Sequence, residues 1–291
     1  MQEEDVYVEG GIRFLYGKTA VARTLGRVFL HTLAKWPLIS WIYGYVQKCS
    51  CSRKKIAPFI ERYRLDVSEF QEDVSQFSSF NDFFIRHIKP EKRPIYADQR
   101  YAVMPADARY TFFENVTKDS PFTIKGKSFF LESLLRDPAL AAHYVGGNMV
   151  IARLCPTDCH RFYFPCECVP TESKNINGML FSVNPIAIKD NPWIYCANRR
   201  VLTALQTKQF GQILFLEIGA TAVGSIHQTF TPYSVCQKGS EKGYFSFGGS
   251  AIVMLFQPRC IRFEKDLIQA SASGYEIRCL IGQALGATGL S

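Results

Sequence analysis

Hydrophobic positions follow two different patterns along the chain, one helical near the N-terminus and one in short runs after about residue 95. Spacing of three and four residues predicts an amphipathic helix through Val21, Leu25, Val28, Phe29 and Leu33. Pro37 ends that helix or begins another segment. A second helix is predicted to begin at Ser79, whose hydroxyl is a suitable N-cap for Asp82 three positions later. Pro90 ends it, and its shared face holds Phe80, Phe83, Phe84 and His87.

Short apolar runs separated by turn residues predict β-strands in the remaining chain. The clearest runs cover residues 149–152, 161–164, 212–218 and 251–256. Asn177-Gly178, Lys238-Gly239 and Gly248-Gly249 mark turns. We expect short helices around residues 131–135 and 277–285. The pattern predicts an α+β fold with an N-terminal helical segment at 1–60 and a mostly β domain at 61–291.

Charge is concentrated in the N-terminal region. The 291-residue chain carries a formal charge of +8. Residues 11–60 contain no acid, and their basic residues are Arg13, Lys18, Arg23, Arg27, Lys35, Lys48, Arg53, Lys54 and Lys55. Because aromatic residues alternate with these bases, the segment suits the surface of an anionic membrane. The alternative is a helical subdomain that packs on the core. Nucleic-acid binding lacks a supporting motif, and we do not expect it.

Neither a signal peptide nor a transmembrane helix is expected. The first five residues are acidic where a signal peptide requires basic and then apolar residues. The apolar stretch at 37–46 is interrupted by Ser40 and Gly44 and is too short to span a bilayer. Without a secretory signal, the ten cysteines are interpreted as reduced thiols. We therefore expect a protein on the cytosolic side.

The most informative segment runs from Lys238 to Ala251 and reads KGSEKGYFSFGGSA. By itself, Gly-Gly-Ser between apolar runs is typical of a hairpin turn. The segment resembles the self-cleavage site of phosphatidylserine decarboxylases, in which a Lys-Gly-x-Glu-x-Gly-x-Phe run leads to Gly-Ser. Further segments resemble that family in the same order, and they lie at 80–90, 93–94, 105–107, 124–127, 158–162, 176–178, 183–185 and 219–226. The resemblance covers roughly residues 60–287.

The resemblance implies that Ser250 attacks the carbonyl of Gly249 and converts the peptide bond into an ester. Elimination would divide the chain into a β chain, 1–249, and an α chain, 250–291, whose N-terminus becomes a pyruvoyl group. Through a Schiff base with the lipid amine, this group would support loss of CO2 from phosphatidylserine to give phosphatidylethanolamine. The implied fold is a mostly β catalytic domain with an N-terminal helical, membrane-contacting segment. The resemblance also implies peripheral attachment to the cytoplasmic side of the cell membrane and a possible homodimer of processed protomers.

The resemblance assigns further site residues. Asp107 occupies the position of the family's triad aspartate, and His160 that of a histidine associated with decarboxylation. Three positions depart from the family pattern: Tyr163 replaces a second histidine, Ala108 a glycine and Ala251 a threonine or serine. A tyrosine with a pKa near ~10 is a poor general base at neutral pH. These departures bear on self-cleavage more than on the fold.

Two alternative functions remain open from the sequence. The chain could be a phospholipid-binding relative that does not process itself, or an uncleaved serine hydrolase using Asp107, His160 and Ser250. The hydrolase is less favoured because the Gly-x-Ser-x-Gly elbow is absent. We predict no metal site, because the spacing of Cys155, Cys159, Cys166 and Cys168 lacks paired Cys-x-x-Cys knuckles. The other histidines, interpreted as structural, are His31, His87, His143 and His227. For His227, which follows Gly224-Ser225-Ile226 directly, the alternative is that it lines the site.

Overall fold

The computed structural model describes residues 44–117, 122–124, 127–129, 131–183, 188, 191, 193–220, 225–248 and 250–289. The amphipathic helix expected at 21–33 lies outside the described residues, as does Gly249. Within the described part, no helix is long and apolar enough to cross a membrane.

Besides helical residues at 44–48, the described chain contains short α-helices and β-strands, most of them after residue 100. The helices are α1 (Ile56–Tyr63), α2 (Phe80–Phe84), α3 (Leu131–Leu135), α4 (Pro138–Ala142), α5 (Ile194–Ala197) and α6 (Lys265–Ala272). The first eight strands are β1 (Tyr101–Val103), β2 (Ala108–Phe113), β3 (Phe122–Ile124), β4 (Lys127–Phe129), β5 (Asn148–Leu154), β6 (Arg161–Tyr163), β7 (Val169–Pro170) and β8 (Lys174–Ile176). The others are β9 (Arg200–Gln206), β10 (Gln212–Gly219), β11 (Ile226–Gln228), β12 (Glu241–Phe245), β13 (Ser250–Phe256), β14 (Ile261–Arg262), β15 (Ile277–Cys279) and β16 (Ala284–Thr288). The α+β prediction is confirmed for the described residues.

An antiparallel sheet of eight strands forms the centre of the fold. Its order is β15-β2-β5-β13-β10-β9-β7, and β8 also pairs with β9. The four strongest apolar runs of the sequence fall on strands, and β13 lies in the middle of this sheet. Every residue of β13 is buried, which explains why its sequence is apolar without alternation.

Both faces of this sheet are covered, and alternate residues of β13 belong to different core layers. Ile252 and Met254 face the layer that contains Phe162 and Phe245 of the small sheet β11-β12-β6. Val253, on the opposite face, belongs to a layer completed by side chains of α3, α4 and α5. Because side chains alternate along a strand, Ser250 projects into the same layer as Ile252.

The helical region before residue 95 has its own aromatic core. Phe59 and Phe83 pack together there, and Phe247 joins them from the segment between β12 and β13. Ser79 caps α2 as predicted, accepting a hydrogen bond from the amide of Asp82. The helix is shorter than predicted because it ends at Phe84, so His87 lies outside it. Helix α1 spans position 60, and the predicted domain boundary there remains a prediction.

The helix expected at 277–285 is wrong. Residues 277–279 form β15 on the edge of the large sheet, and residues 284–288 form β16 of a smaller sheet. Gly282 turns the chain between them with φ of +85°, and a Cβ at this position would lie 2.6 Å from the carbonyl oxygen of Pro94. Pairing with β2 and β1 overrides the local helical pattern. The helix in this part of the chain is α6, which precedes β15.

Candidate active site

Ser250 is the first residue of the central strand, and its side chain is fully buried. It pairs with Leu154 on one side and with Gly219 on the other. Among the described residues, its Oγ has no hydrogen-bond partner. A buried hydroxyl without a partner costs about 1–3 kcal/mol, so its retention at this position requires an explanation.

The turn before Ser250 is held at two consecutive amides. The amide of Ser246 donates to the carbonyl oxygen of Ser225 at 3.1 Å, and that of Phe247 donates to Oδ1 of Asn81 at 2.8 Å. Gly248 has φ of +139°, a conformation that residues with a Cβ rarely adopt. The backbone leading to residue 249 is therefore fixed by the small sheet on one side and by helix α2 on the other.

His160 is buried beside this turn in an apolar setting. Its ring lies 3.7 Å from that of Phe84, measured between centroids, and its Nδ1 lies 3.0 Å from the carbonyl oxygen of Asp158. Its own carbonyl oxygen accepts the amide of Phe245, at the end of the strand that leads to the turn. Among the described residues, Nε2 has no partner. Burial, together with the nearby charge of Arg86, lowers the pKa of His160 to about 3, so the imidazole is neutral at pH 7.

Asp107 lies at the same end of the large sheet but is bound to other groups. It precedes β2, in which Arg109 pairs with Arg153 of β5. Its carboxylate accepts hydrogen bonds from Nε and Nη2 of Arg93 at 2.8–3.0 Å and from the amide of Ile281 at 2.8 Å. Within the described part, no hydrogen bond joins Asp107 to His160 or Ser250. The structure thus gathers the three residues in one region without linking them.

Of the three departures from the family pattern, Tyr163 is half-buried, and the two alanines are fully buried. Burial raises the pKa of Tyr163 well above its ordinary value, with Asp107 contributing in the same direction, so its hydroxyl stays protonated at neutral pH. Ala108 and Ala251 are buried in strands β2 and β13. Ala251 faces the apolar layer opposite Ser250, where a Thr or Ser hydroxyl would need a partner.

His227 is a residue of this region to which the sequence analysis gave a structural role. On β11, its Nε2 lies 3.1 Å from Oγ of Ser246, the first residue of the turn. Its ring stacks on Tyr244 at 4.7 Å. Burial and the charge of Lys48 lower its pKa. Only its position after the Gly-Ser-Ile segment hinted at this contact.

A buried ion pair between Lys242 and Glu217 also escaped the sequence analysis. The ammonium donates to the Glu217 carboxylate, to Thr203 at 3.0 Å and to Gln228 at 2.8 Å. Burial raises the pKa of Glu217 and lowers that of Lys242. The pair fastens β12, which carries the turn, onto β10 beside β13. This pairing cannot be predicted from the sequence, because the two residues lie on different strands and are distant along the chain.

The cysteines around His160 are buried thiols, and none of the ten cysteines is in a disulfide. In the part of the chain that the structure describes, no group of three or more His, Cys, Asp or Glu side chains is arranged to hold a metal ion.

Comparison with known proteins agrees with this arrangement. The family model for phosphatidylserine decarboxylase matches residues 80–287. A phosphatidylserine decarboxylase proenzyme of Chlamydia pneumoniae is 46% identical over 283 residues, covering 97% of this chain and 92% of the relative. The proenzymes of Chlamydia felis and Chlamydia caviae are 47% and 45% identical, covering 90% and 97% of this chain and 88% and 93% of the relatives. The chain therefore belongs to the phosphatidylserine decarboxylase family.

Proposed function

We propose that this protein converts phosphatidylserine to phosphatidylethanolamine and CO2, after cleaving itself between Gly249 and Ser250. Family membership and the proenzyme names of its relatives support the activity. The observation that carries the assignment to Ser250 is its buried, unpartnered hydroxyl, which begins the central strand directly after a constrained glycine turn.

Self-cleavage begins when Ser250 Oγ attacks the Gly249 carbonyl carbon and its proton leaves to a base. The C–N bond then breaks, which gives an ester and a free amine at residue 250. Elimination removes the Cα proton, breaks the Cβ–O bond and releases residues 1–249 with a C-terminal carboxylate. The dehydroalanine that remains reacts with water, loses ammonia and becomes the pyruvoyl group. Glycine at 249 suits this step because it leaves its carbonyl open to attack.

We assign the proton-accepting role to His160. A general base must be unprotonated at the working pH and must have a free lone pair. The lowered pKa of His160 supports the first requirement, and its unpartnered Nε2 supports the second. Tyr163 fails the first requirement because its raised pKa keeps the hydroxyl protonated, and Asp107 is occupied by Arg93 and Ile281. Asp107 is accordingly a residue that positions the chain around the site.

The surroundings of Ser250 suit a pyruvoyl group made from that residue. Such a group supplies an electron-withdrawing carbonyl, which accepts the electron pair left when CO2 departs. The fragment that bears it stays in place, because β13 is paired along its whole length with β5 and β10. The ring of Phe84 packs on His160, which is fully buried, and we assign to His160 the return to carbon of a proton that it accepts from the substrate amine.

We further propose that the protein works at the cytoplasmic face of the cell membrane, bound peripherally. Its substrate has two acyl chains and stays in the bilayer. Arg53, Lys54 and Lys55 are exposed on one turn, close to Tyr45 and Val46, which are 59% and 40% exposed. Bases beside exposed apolar side chains suit an anionic lipid surface.

The test is decarboxylation of phosphatidylserine in vesicles by purified wild-type protein, Ser250→Ala and Ser240→Ala. Ser240 lies in the same motif, but its hydroxyl only donates to the carbonyl oxygen of Gln237. We expect phosphatidylethanolamine from the wild type and from Ser240→Ala, and none from Ser250→Ala. Product from Ser250→Ala would refute the proposal.

The departures at Tyr163, Ala108 and Ala251 favour a second candidate, a relative that binds phospholipid without processing itself. An intact wild-type chain that binds phosphatidylserine vesicles but makes no product would establish it. Reaction of Ser250 with a fluorophosphonate in an intact chain would indicate the serine hydrolase instead.

A further inference from the structure

Cys168 and Cys236 face each other across two antiparallel segments at the edge of the fold. They form an isolated antiparallel bridge just before β7. The amide of Cys168 donates to the carbonyl oxygen of Cys236 at 3.0 Å, and the amide of Cys236 donates to that of Cys168 at 2.8 Å. Residues that exchange both bonds lie directly opposite, with Cα atoms about 5.5 Å apart and side chains on the same face.

The two sulfur atoms share one environment. Both side chains pack against the core layer that contains Phe162 and Phe245. Burial raises the pKa of both thiols, that of Cys168 to about 12; a charge on Cys236 raises the pKa of Cys168 further, and Lys242 acts on both thiols in the opposite direction. Cys168 is buried, whereas Cys236 is partly exposed. Cys236 is therefore the thiol that a reagent in solution reaches first.

The backbone geometry fits a disulfide with a small adjustment. Cα separations of about 4.4–6.8 Å are compatible with a bridge, but the Cβ atoms must approach to about 3.5–4.5 Å. In an opposed, hydrogen-bonded pair the Cβ atoms are about 5.5 Å apart, so one segment must move by about 1 Å. Cys236 lies in the irregular connection between β11 and β12, whose Tyr233 and Val235 are 70% and 64% exposed. This connection is the segment that can move.

We propose that Cys168 and Cys236 are a disulfide-forming site, oxidised by small disulfides of the glutathione type and reduced again by the matching thiol. Cys236 sulfur, as thiolate, attacks one sulfur of the reagent, forms a mixed disulfide and releases one small thiolate. Cys168 sulfur then attacks Cys236 sulfur, closes the protein disulfide and releases the second. Two protein thiols are oxidised, and one reagent disulfide is reduced to two thiols.

The strain in this geometry determines how easily the disulfide is reduced. A bridge that pulls two hydrogen-bonded residues together is more easily reduced than a relaxed structural disulfide. It would fasten the connection between β11 and β12 to β7. Both cysteines precede residue 249, so the bond forms within one chain whether or not self-cleavage occurs, and the inference does not depend on the proposed function.

The test treats the purified full-length protein with oxidised glutathione at about pH 8.5, because thiolates are the reacting species. The protein is then unfolded without reduction, its free thiols are blocked with iodoacetamide, disulfides are reduced, and the released thiols are labelled with N-ethylmaleimide. Peptide mass spectrometry locates the label. The matched control is Cys166→Ser, which removes a second buried thiol two residues from Cys168.

We expect the label on Cys168 and Cys236 together, with the polypeptide about 2 Da lighter before reduction. The Cys166→Ser variant should give the same result, and excess reduced glutathione should reverse it. Blocking of both thiols by iodoacetamide when the peptides are unfolded without reduction would overturn the proposal. A pairing of Cys166 with Cys168 would overturn it as well. The position of the label and the mass change are both measured on the wild-type protein, so they do not depend on whether a variant folds.

Discussion

At the scale of single residues, two buried polar atoms of this site bear on its chemistry. Ser250 Oγ and His160 Nε2 are both buried and, within the described chain, without a hydrogen-bond partner. Such atoms reduce stability and are uncommon in native proteins. They lie at the same end of the central sheet, one at the start of β13 and the other beside the turn that precedes it. The proposed reaction between these groups and the backbone would account for their retention.

The neutral state of His160 predicts how stability depends on pH. Its pKa is about 3 in the folded chain and about 6.5 in the unfolded chain. The unfolded state therefore binds more protons between these values, and stability falls as the pH falls below about 6.5. In a Ser250→Ala chain, which stays intact, lowering the pH from 7 to 5 should cost about 2 kcal/mol through His160.

Urea unfolding at the two pH values measures this term. Adding His160→Gln to the Ser250→Ala chain should remove about 2 kcal/mol of the pH dependence. Equal pH dependence with and without His160 would show that the imidazole is not held neutral by burial.

At the scale of elements, the turn between β12 and β13 is held by a helix that is distant in sequence. Asn81 of α2 accepts the amide of Phe247, and the ring of Phe247 packs on Phe80 and Phe84 of the same helix at 5.3 and 4.9 Å. His227 contacts the other end of the turn through Ser246. Helix α2 and the small sheet thus fix the backbone on which the serine acts.

The contact between Asn81 and the turn predicts an effect on self-cleavage. Asn81→Leu leaves the buried amide of Phe247 without its acceptor, which costs about 1–3 kcal/mol. If the turn loses that much order, cleavage should slow by about tenfold or more. Asn81→Asp keeps an oxygen at this position and should cleave much faster than Asn81→Leu.

The rate is followed by the conversion of full-length chain to fragments after synthesis. Asn175→Leu is the matched control, because Asn175 is exposed on β8. An unchanged rate in Asn81→Leu would show that the contact with α2 does not affect self-cleavage.

These elements also show what the sequence could and could not predict. The central strands follow from apolar runs, and the Ser79 cap follows from its hydroxyl before an apolar segment. The helix predicted at 277–285 is wrong because a short apolar pattern fits either a helix or two strands. Only the pairing with β2 and β1 decides between these two structures. The partners of Asp107, namely Arg93 and Ile281, lie 14 and 174 positions away in sequence, and no local pattern predicts them.

At the scale of the whole molecule, the two segments that the proposed cleavage would separate are paired within one structure. Residues 250–289 supply the central strand β13 and the edge strand β15 of the large sheet, and also β14 and β16 of a smaller one. Cleavage before Ser250 therefore leaves these pairings in place. We expect the two fragments to remain associated until the protein is denatured.

The proposed membrane contact is also tested at the scale of the whole molecule. Reversing three exposed charges with Arg53→Glu, Lys54→Glu and Lys55→Glu removes about 1 kcal/mol of attraction per base and adds repulsion. Flotation with phosphatidylserine-containing vesicles should show at least a tenfold loss of binding. The control reverses Lys174, Lys208 and Arg259, which are exposed elsewhere. Equal losses in both variants would show that net charge, and not this surface, controls binding.

The central claim is that Ser250 breaks the chain in front of itself and becomes the blocked N-terminus of a small fragment. Its most direct test is the intact mass of the purified, denatured protein, together with N-terminal sequencing of the fragments. The account predicts two chains, 1–249 and 250–291, the smaller resistant to Edman degradation and with the mass of a pyruvoyl terminus. A single unbroken chain that still decarboxylates phosphatidylserine, or a small fragment that begins with an ordinary serine amine, would contradict it.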